Sequence, residues 1–404
     1  MHRYSEHTLL LLLAAVQFTH ILDFMVIMPL GQQLMRELAI SPAGFSHLVA
    51  AYTISAGVVG FVAAPFMDRF DRRKTLLVTY AGFFGGTLAC GFARTAGTLL
   101  IARALCGAFG GISGATVLAI VSDIVPPARR AAGMGIIMAA FAAAAALGVP
   151  TGLYIAQKFR WEMPFFLVAG IAVVVWWLTY LKLPPVRGHM HDSARHGFHA
   201  FFELLRDANA GRALLFMSAL VMGHFAIIPL LAPYLIANVG LPENKLFLIY
   251  LVGGVCSAIT APLFGRLADR HGRLRVFTML ICVASAVTLA ISNSGPLPVG
   301  GVLVLAGLFF TFASGRFIPG QAIMSLAVPA RRRGAFMSLS SCTRDLTSGI
   351  TSSLGGWIVT KSPTGKLVNF DKLGWLAVAV SLLSLWLASR VRADEIPETL
   401  TVET

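Results

Sequence analysis

Charged residues are scarce in this sequence. Only 12% of its 404 residues are Asp, Glu, Lys or Arg, whereas 57% are hydrophobic, and the mean hydropathy is +0.77. A soluble domain of this size needs far more charge to cover its surface. The composition therefore excludes a soluble globular protein and predicts a polytopic membrane protein.

Long apolar runs recur along the whole chain. A membrane helix needs roughly 20 mostly apolar residues at about 1.5 Å each. The first run continues from Leu9 through Asp23 to Leu30, too long for a cleaved secretory signal, so it is kept as a span. Twelve spans are predicted, at 9–30, 46–67, 75–93, 98–124, 131–156, 164–182, 212–237, 246–264, 276–292, 300–328, 334–360 and 372–389.

Acidic residues are fewer than basic ones, 18 against 32, which gives a net charge of +14. This excess does not indicate a nucleic-acid partner, because the basic residues cluster in short loops on one side of the predicted spans, as in 69–74, 129–130 and 331–333. Such a bias orients helices with the basic loops in the cytoplasm. Both termini are therefore predicted to be cytoplasmic, and no nucleic-acid binding is expected.

Cysteines and catalytic motifs are also few. All five cysteines fall inside predicted spans, where they are expected to pack as small apolar residues rather than form disulfides. The sequence has no HExxH motif, no P-loop and no paired catalytic constellation. We expect no enzymatic activity, no cofactor and no metal site; a non-transporting membrane receptor remains an alternative.

The longest polar stretch divides the chain into two related halves. It defines four predicted regions: a six-helix bundle over 1–182, a central cytoplasmic loop over 183–211, a second six-helix bundle over 212–392 and a cytoplasmic tail over 393–404. Within the loop, aromatic and leucine residues recur at helical spacing over 198–205, which favours an amphipathic helix on the membrane surface. The sequences "DRFDRRK" and "DRHGRLR", and likewise "VPPARR" and "VPARRR", recur about 201 to 203 residues apart, a parallel repeat of six helices.

The stretch "GRLADRHGR" resembles the cytoplasmic loop signature of the major facilitator superfamily, and the twelve-helix plan resembles that family over the full chain. The first copy departs from the signature, with Ala64 and Asp71 where glycines are usual. "IARALCGAFGG" and "RWEMPFF" are similar to motifs of the drug:proton antiporter and sugar or purine efflux branch. "ALGVPTG", with Gly148, Pro150 and Gly152, resembles a variant of its helix 5 antiporter motif.

Few ionisable residues lie inside the predicted spans, where each costs about 2.5 to 3.5 kcal/mol to insert. Asp23 and Arg103 are both predicted to lie roughly 8 to 11 Å below the outer interface, so they are positioned to pair. The resemblance implies that the acid at this place in the first helix couples transport to protons and that the arginine is its partner. A packed ion pair is the alternative.

Four further ionisable residues lie inside spans of the second half. Arg316 and Asp345 are each about twelve residues from the same loop, so roughly 18 Å deep. Arg344 and Asp345 point about 100° apart, and one of them is expected to pair with Arg316 while the other faces elsewhere. This set either locks two helices or serves transport. His224 is a second titrating group, a substrate contact or a packed side chain.

The repeated loops are predicted to form a cytoplasmic gate. Charged side chains at the helix ends can bridge the two bundles and interact with the helix dipoles, and the resemblance places Asp123 in the first cluster. We expect the gate to stabilise the outward-facing state. The predicted gate residues are Asp68, Arg69, Arg72, Arg73, Asp123, Gly265, Asp269, Arg270, Gly272 and Arg273.

The expected function is proton-coupled export of small organic compounds by a monomer in the inner (cytoplasmic) membrane of a bacterium. Alternatives are a proton symporter or a uniporter that imports a small solute. The substrate cavity is predicted near the bilayer midplane, lined by aromatics such as Phe24, Phe141 and Phe317. The expected partners are a small-molecule substrate, protons and the lipid bilayer.

Overall fold

The fold was analysed in a computed structural model, which describes residues 5–67, 69–126, 129–186, 203–204, 206–329 and 332–392. Nearly all of these residues are helical. We refer to α1–α8 as the N-half and to α9–α16 as the C-half. The helices are α1 Glu6–Val26, α2 Gly31–Glu37, α3 Pro42–Met67, α4 Arg72–Phe92, α5 Ala96–Ile124, α6 Arg130–Ala143, α7 Val149–Lys158, α8 Met163–Lys182, α9 Ala208–Phe225, α10 Ile228–Ala237, α11 Leu246–His271, α12 Arg273–Ser292, α13 Val299–Gly315, α14 Phe317–Ser325, α15 Arg333–Ile358 and α16 Phe370–Arg390.

Four short elements complete the described fold. A π-helical turn, Ala144–Gly148, joins α6 to α7, and a 3₁₀ turn, Glu243–Lys245, precedes α11. Strands β1 (Thr360–Lys361) and β2 (Leu367–Val368) pair antiparallel between α15 and α16.

Eleven helical segments in the described residues are long and apolar enough to cross a membrane. They coincide with eleven of the twelve predicted spans. The exception is α15, which occupies the predicted span 334–360 with 26 residues but contains Arg344, Asp345 and many Ser and Thr residues. A multi-helical membrane fold is therefore confirmed, and the crossing of α15 remains a prediction.

Prolines break several spans that the sequence analysis treated as continuous. Pro29 lies in the turn between α1 and α2, and the equivalent Pro229 lies in the first turn of α10. Proline has no N–H to donate and its ring clashes with the preceding helical turn, so a helix ends or restarts at it. Both halves carry a Pro-Leu dipeptide, at Pro29 and at Pro229, and in each half it lies at a break between two helices.

The halves meet along two seams. In the first seam α3 packs against α15, with Gly57 and Gly356 at points of close approach: a Cβ on Gly57 would lie 2.8 Å from the amide nitrogen of Leu346, and one on Gly356 2.5 Å from Cβ of Ser46. In the second seam the π turn and α7 pack against α11. Small residues allow helix backbones to approach this closely.

The residues of the predicted helix 5 motif, Gly148, Pro150 and Gly152, lie where the second seam meets α1. Pro150 cannot donate to the carbonyl four residues earlier, which accounts for a π turn immediately before it. A Cβ on Gly148 would lie 2.8 Å from Cδ1 of Leu22, and one on Gly152 2.7 Å from Cγ2 of Val26. The two glycines therefore permit α7 to pack tightly on α1.

Candidate functional site

The structure brings Asp23 and Arg103 together. Arg103 Nη1 donates to Asp23 Oδ2 at 2.8 Å and to the Asp23 carbonyl oxygen at 3.1 Å, and both side chains are 0% exposed. Within the described residues, Asp23 Oδ1 and two guanidinium nitrogens, Nε and Nη2, have no hydrogen-bond partner. The pairing expected from equal depth is therefore present, and the pair keeps unused hydrogen-bonding capacity.

Arg103 also connects this pair to the first seam. Its guanidinium lies over the ring of Tyr52 on α3, 4.6 Å from the centroid, a geometry that favours a cation–π interaction. A Cβ on Gly107 would overlap the Tyr52 carbonyl, so α5 and α3 are in direct backbone contact here. Because α3 also packs against α15, Tyr52 connects Arg103 to a helix at the interface between the halves.

A line of polar side chains that the sequence analysis did not assemble runs along α1. Gln17, His20 and Asp23 follow one another at a spacing of three residues, which places them on adjacent turns of one face. Gln17 Oε1 and both ring nitrogens of His20 are buried without a partner. His20 packs edge-on against Tyr80 and Phe83. The spacing of three residues between these polar side chains is the signal from which the line could have been predicted.

The predicted C-half charge cluster is arranged differently from the expectation. Arg316 forms no ion pair within the described chain, and Arg344 Nε lies 3.5 Å from Oδ1 of its own neighbour Asp345. The expected pairing of Arg316 with Arg344 or Asp345 was wrong, because equal depth does not determine the direction in which a side chain points. Arg344 reaches its neighbour because its long side chain bends across the 100° between them.

Arg316 points into the C-half instead. Its side chain is buried, Nη1 donates to Ser381 Oγ at 2.7 Å, and Nε donates to the Ala313 carbonyl at 3.2 Å. Ser381 is on α16, so the guanidinium links the break between α13 and α14 to the last helix. Its partners are neutral oxygens, which leaves the charge without a counter-ion.

His224 lies in an aromatic cluster that reaches across the halves. Its ring is parallel to Phe309, with centroids 6.2 Å apart, and edge-on to Phe225 and Phe317 at 5.5 and 5.3 Å. Phe225 lies 6.1 Å from Phe24 of the N-half. Two of the three predicted cavity aromatics therefore belong to one cluster.

The third predicted cavity aromatic, Phe141, lies outside this cluster. It is on α6 and half exposed.

Part of the predicted gate is present in the N-half. Arg72 and Asp123 form an ion pair, Arg73 donates to the Tyr180 carbonyl at 2.7 Å, and the Arg69 guanidinium lies 5.6 Å from the ring centroid of Phe66. Asp68 lies outside the described residues. These contacts stay within one half, so bridging of the bundles at this end remains a prediction.

The second copy of the loop makes a sharper turn than the first. Gly272 adopts φ +91°, a conformation that favours glycine, between α11 and Arg273, the first residue of α12. At the equivalent place Asp71 caps α4 by accepting from the Arg73 amide at 2.9 Å. Asp269 and Arg270 are exposed and form no ion pair in the described chain, and Gly265 has only Ile318 near its Cβ position, at 3.9 Å.

Glu243 makes the only hydrogen bonds between the halves in the described part of the chain. Its carboxylate accepts from Arg36 at 3.3 Å, and its carbonyl accepts from Gln157 at 2.6 Å. Both donors come from the N-half, at the end of the molecule opposite the Arg72 and Asp123 pair. Sequence reasoning missed this contact, since Arg36 and Glu243 are 207 residues apart.

Three comparisons with known proteins bear on this arrangement. The family model described as "Major Facilitator Superfamily" matches residues 13–351 and 214–403. The "Uncharacterized MFS-type transporter YceJ" of Bacillus subtilis is 24% identical over 85% of this chain and 87% of its own length. The "Probable sugar efflux transporter" of Mannheimia succiniciproducens is 23% identical, over 82% and 81%. A bacterial homologue of the human lysosomal transporter Spinster, inward-facing and occupied, superposes with a TM-score of 0.76 at 15% identity over 96% of this chain and 97% of that one.

Proposed function

The chain belongs to the Major Facilitator Superfamily, and from that premise we propose that it is a proton-coupled secondary transporter that exports small organic compounds by alternating access. The proposal includes twelve spans, cytoplasmic termini and a monomer in a bacterial inner membrane. Export is favoured over import by the likeness to a probable sugar efflux transporter.

The buried pair of Asp23 and Arg103 is the observation on which proton coupling rests. Removing two charges from water is costly, and their mutual attraction compensates only while both are ionised. Protonation of Asp23 leaves Arg103 as an uncompensated cation. Arg103 then shifts toward Tyr52, and α3 carries the change to its seam with α15.

Gln17 and His20 supply a route for the proton. Their unpartnered polar atoms lie between Asp23 and the end of α1 that carries Glu6, which is paired with Arg129 at the basic-loop end. A polar atom without a partner in a buried site is costly unless water reaches it. Water that enters along this face in one state would connect Asp23 to the cytoplasm.

Transport by reconstituted protein tests the proposal. Purified protein is placed in proteoliposomes, and uptake of the compound that most raises its thermal stability is measured under an imposed pH gradient. We expect Asp23→Asn to abolish accumulation against a gradient while exchange at equal concentrations continues. Glu37→Gln is the control, because Glu37 bonds only to Gln33 within α2 and should accumulate substrate normally. Wild-type accumulation by Asp23→Asn would disprove the role of Asp23.

A further inference from the structure

Arg316 is a buried cation without an anion. The intramembrane charges of the described chain are three arginines and two aspartates; Arg103 pairs with Asp23, and Arg344 with Asp345. Arg316 is 2% exposed, and its hydrogen bonds go to Ser381 Oγ and the Ala313 carbonyl. Neutral oxygens offset only part of the free-energy cost of burying a charge, so an anion that reached Arg316 would be strongly attracted.

The C-half shows where its own acid is missing. The repeat aligns Pro29 with Pro229 and so places Gly223 opposite Asp23. A Cβ on Gly223 would overlap Ser381 Oγ, the atom that accepts from Arg316. At the position equivalent to Asp23, the C-half therefore has a glycine instead of a carboxylate, but it keeps a cation, Arg316, beside that position.

The surroundings of Arg316 suit a flat apolar group. His224 packs edge-on against Phe317, the residue that follows Arg316, and its Nδ1 is buried with no partner in the described chain. Its ring lies parallel to that of Phe309, and the cluster continues through Phe225 to Phe24 at the interface between the halves. Phe317, His224 and Phe225 are partly exposed, so a ligand can contact their rings.

We propose that the substrate is a small organic anion, an acidic group attached to a planar apolar ring, which is bound with its acid on Arg316 and its ring among His224, Phe225 and Phe317. A guanidinium matches a carboxylate with two parallel hydrogen bonds, and aromatic side chains hold flat rings by stacking. His224 Nδ1 supplies a further polar contact. The proposal rests on the transport function proposed above and names its substrate class.

Binding to the purified full-length protein tests this substrate class with three probes that share a naphthalene ring and differ in the charge of the group attached to it. These are 2-naphthoate, 2-naphthamide and 2-naphthylmethylammonium, measured by titration calorimetry. We expect 2-naphthoate to bind at least about tenfold more tightly than either of the others. The proposal is overturned if the amide or the ammonium binds as tightly, or if 2-naphthoate does not bind at millimolar concentration.

The decisive variant supplies an internal acid. Ser381→Asp places a carboxylate where Arg316 already donates, so it should reduce the preference for 2-naphthoate over 2-naphthamide to within about twofold. Ser381→Asn is the neutral control of equal size and should keep the preference, as should Arg129→Gln, which removes a cation from the exposed ion pair with Glu6. Should Ser381→Asp fail to fold, Arg316→Gln provides the same comparison. A preference that persists in these charge variants overturns the proposal.

Transport separates this inference from the proposed function. Asp23→Asn should bind 2-naphthoate normally and lose only its pH-driven uptake into proteoliposomes. Wild-type protein that binds 2-naphthoate but moves it independently of the pH gradient contradicts proton coupling and supports the anion site. Proton-driven transport of the amide alone contradicts the anion site and supports proton coupling.

Discussion

A carboxylate and a guanidinium that share a buried site stabilise a protein only while both are present. Asp23 and Arg103 are both 0% exposed, and each has hydrogen-bonding atoms left over. A pair evolved solely to lock two helices would be expected to satisfy these atoms, because every unmet group in a buried site costs free energy. The leftover atoms fit a site that water or a proton reaches in another state.

Removal of one partner should cost more stability than removal of both. Arg103→Met leaves Asp23 as a lone buried acid, and we expect the free energy of unfolding to fall by about 3 to 5 kcal/mol. Asp23→Asn combined with Arg103→Met should recover a large part of that loss, because no uncompensated charge remains. Unfolding in detergent, followed by tryptophan fluorescence, measures both.

Arg129→Met serves as the control for this prediction. Its ion pair with Glu6 joins side chains that are 65% and 30% exposed, so we expect a change within about 0.5 kcal/mol. A double variant that is less stable than Arg103→Met would contradict the account of a charge pair.

At the scale of elements, glycines determine how closely the seam helices approach. The seam between α3 and α15 allows only a hydrogen at Gly57, since a Cβ there would lie 2.8 Å from the Leu346 nitrogen and 2.9 Å from the Cys342 carbonyl. Both are backbone atoms, which cannot rotate away as a side-chain tip can. The seam must therefore open if a side chain is added.

Gly57→Leu should hold α3 and α15 apart and reduce transport by at least about tenfold. Spin labels at positions 36 and 243, where the ion pair joins the halves, should move apart in this variant. Gly85→Leu is the matched control, because no atom lies within 4 Å of its Cβ position, and it should leave both the distance and the transport rate unchanged. Normal transport by Gly57→Leu would indicate that the seam is not part of the cycle.

At the scale of the whole molecule, Glu243 joins the two halves at one end through its hydrogen bonds with Arg36 and Gln157. An exposed ion pair such as that with Arg36 contributes at most about 1 kcal/mol, and the Gln157 bond adds a similar amount. Interactions this weak can close an end and still release it during a transport cycle. By the predicted orientation, the end joined by Glu243 is the outer one.

A covalent link between the halves should stop the cycle. In a protein whose native cysteines are replaced by alanine, Arg36→Cys with Glu243→Cys is joined by a short bifunctional thiol reagent, and we expect transport to fall to background and to return on reduction. The control pair, Glu6→Cys with Arg129→Cys, links two positions of the N-half and should leave transport intact. Full activity in the linked first pair would exclude movement at this end.

The sequence by itself predicted the class of the protein, the eleven apolar helices that the structure contains, and the pairing of Asp23 with Arg103 from their equal depth, while the family resemblance placed Asp123 in the cluster of Arg72. Depth follows from counting residues along a helix axis. Tertiary structure alone decided that Arg316 faces Ser381 rather than Asp345, that Glu243 joins the halves, and that α3 meets α15 at Gly57. The direction of a side chain and the approach of two helices depend on rotation about each axis and on packing between distant segments, which residue spacing does not contain.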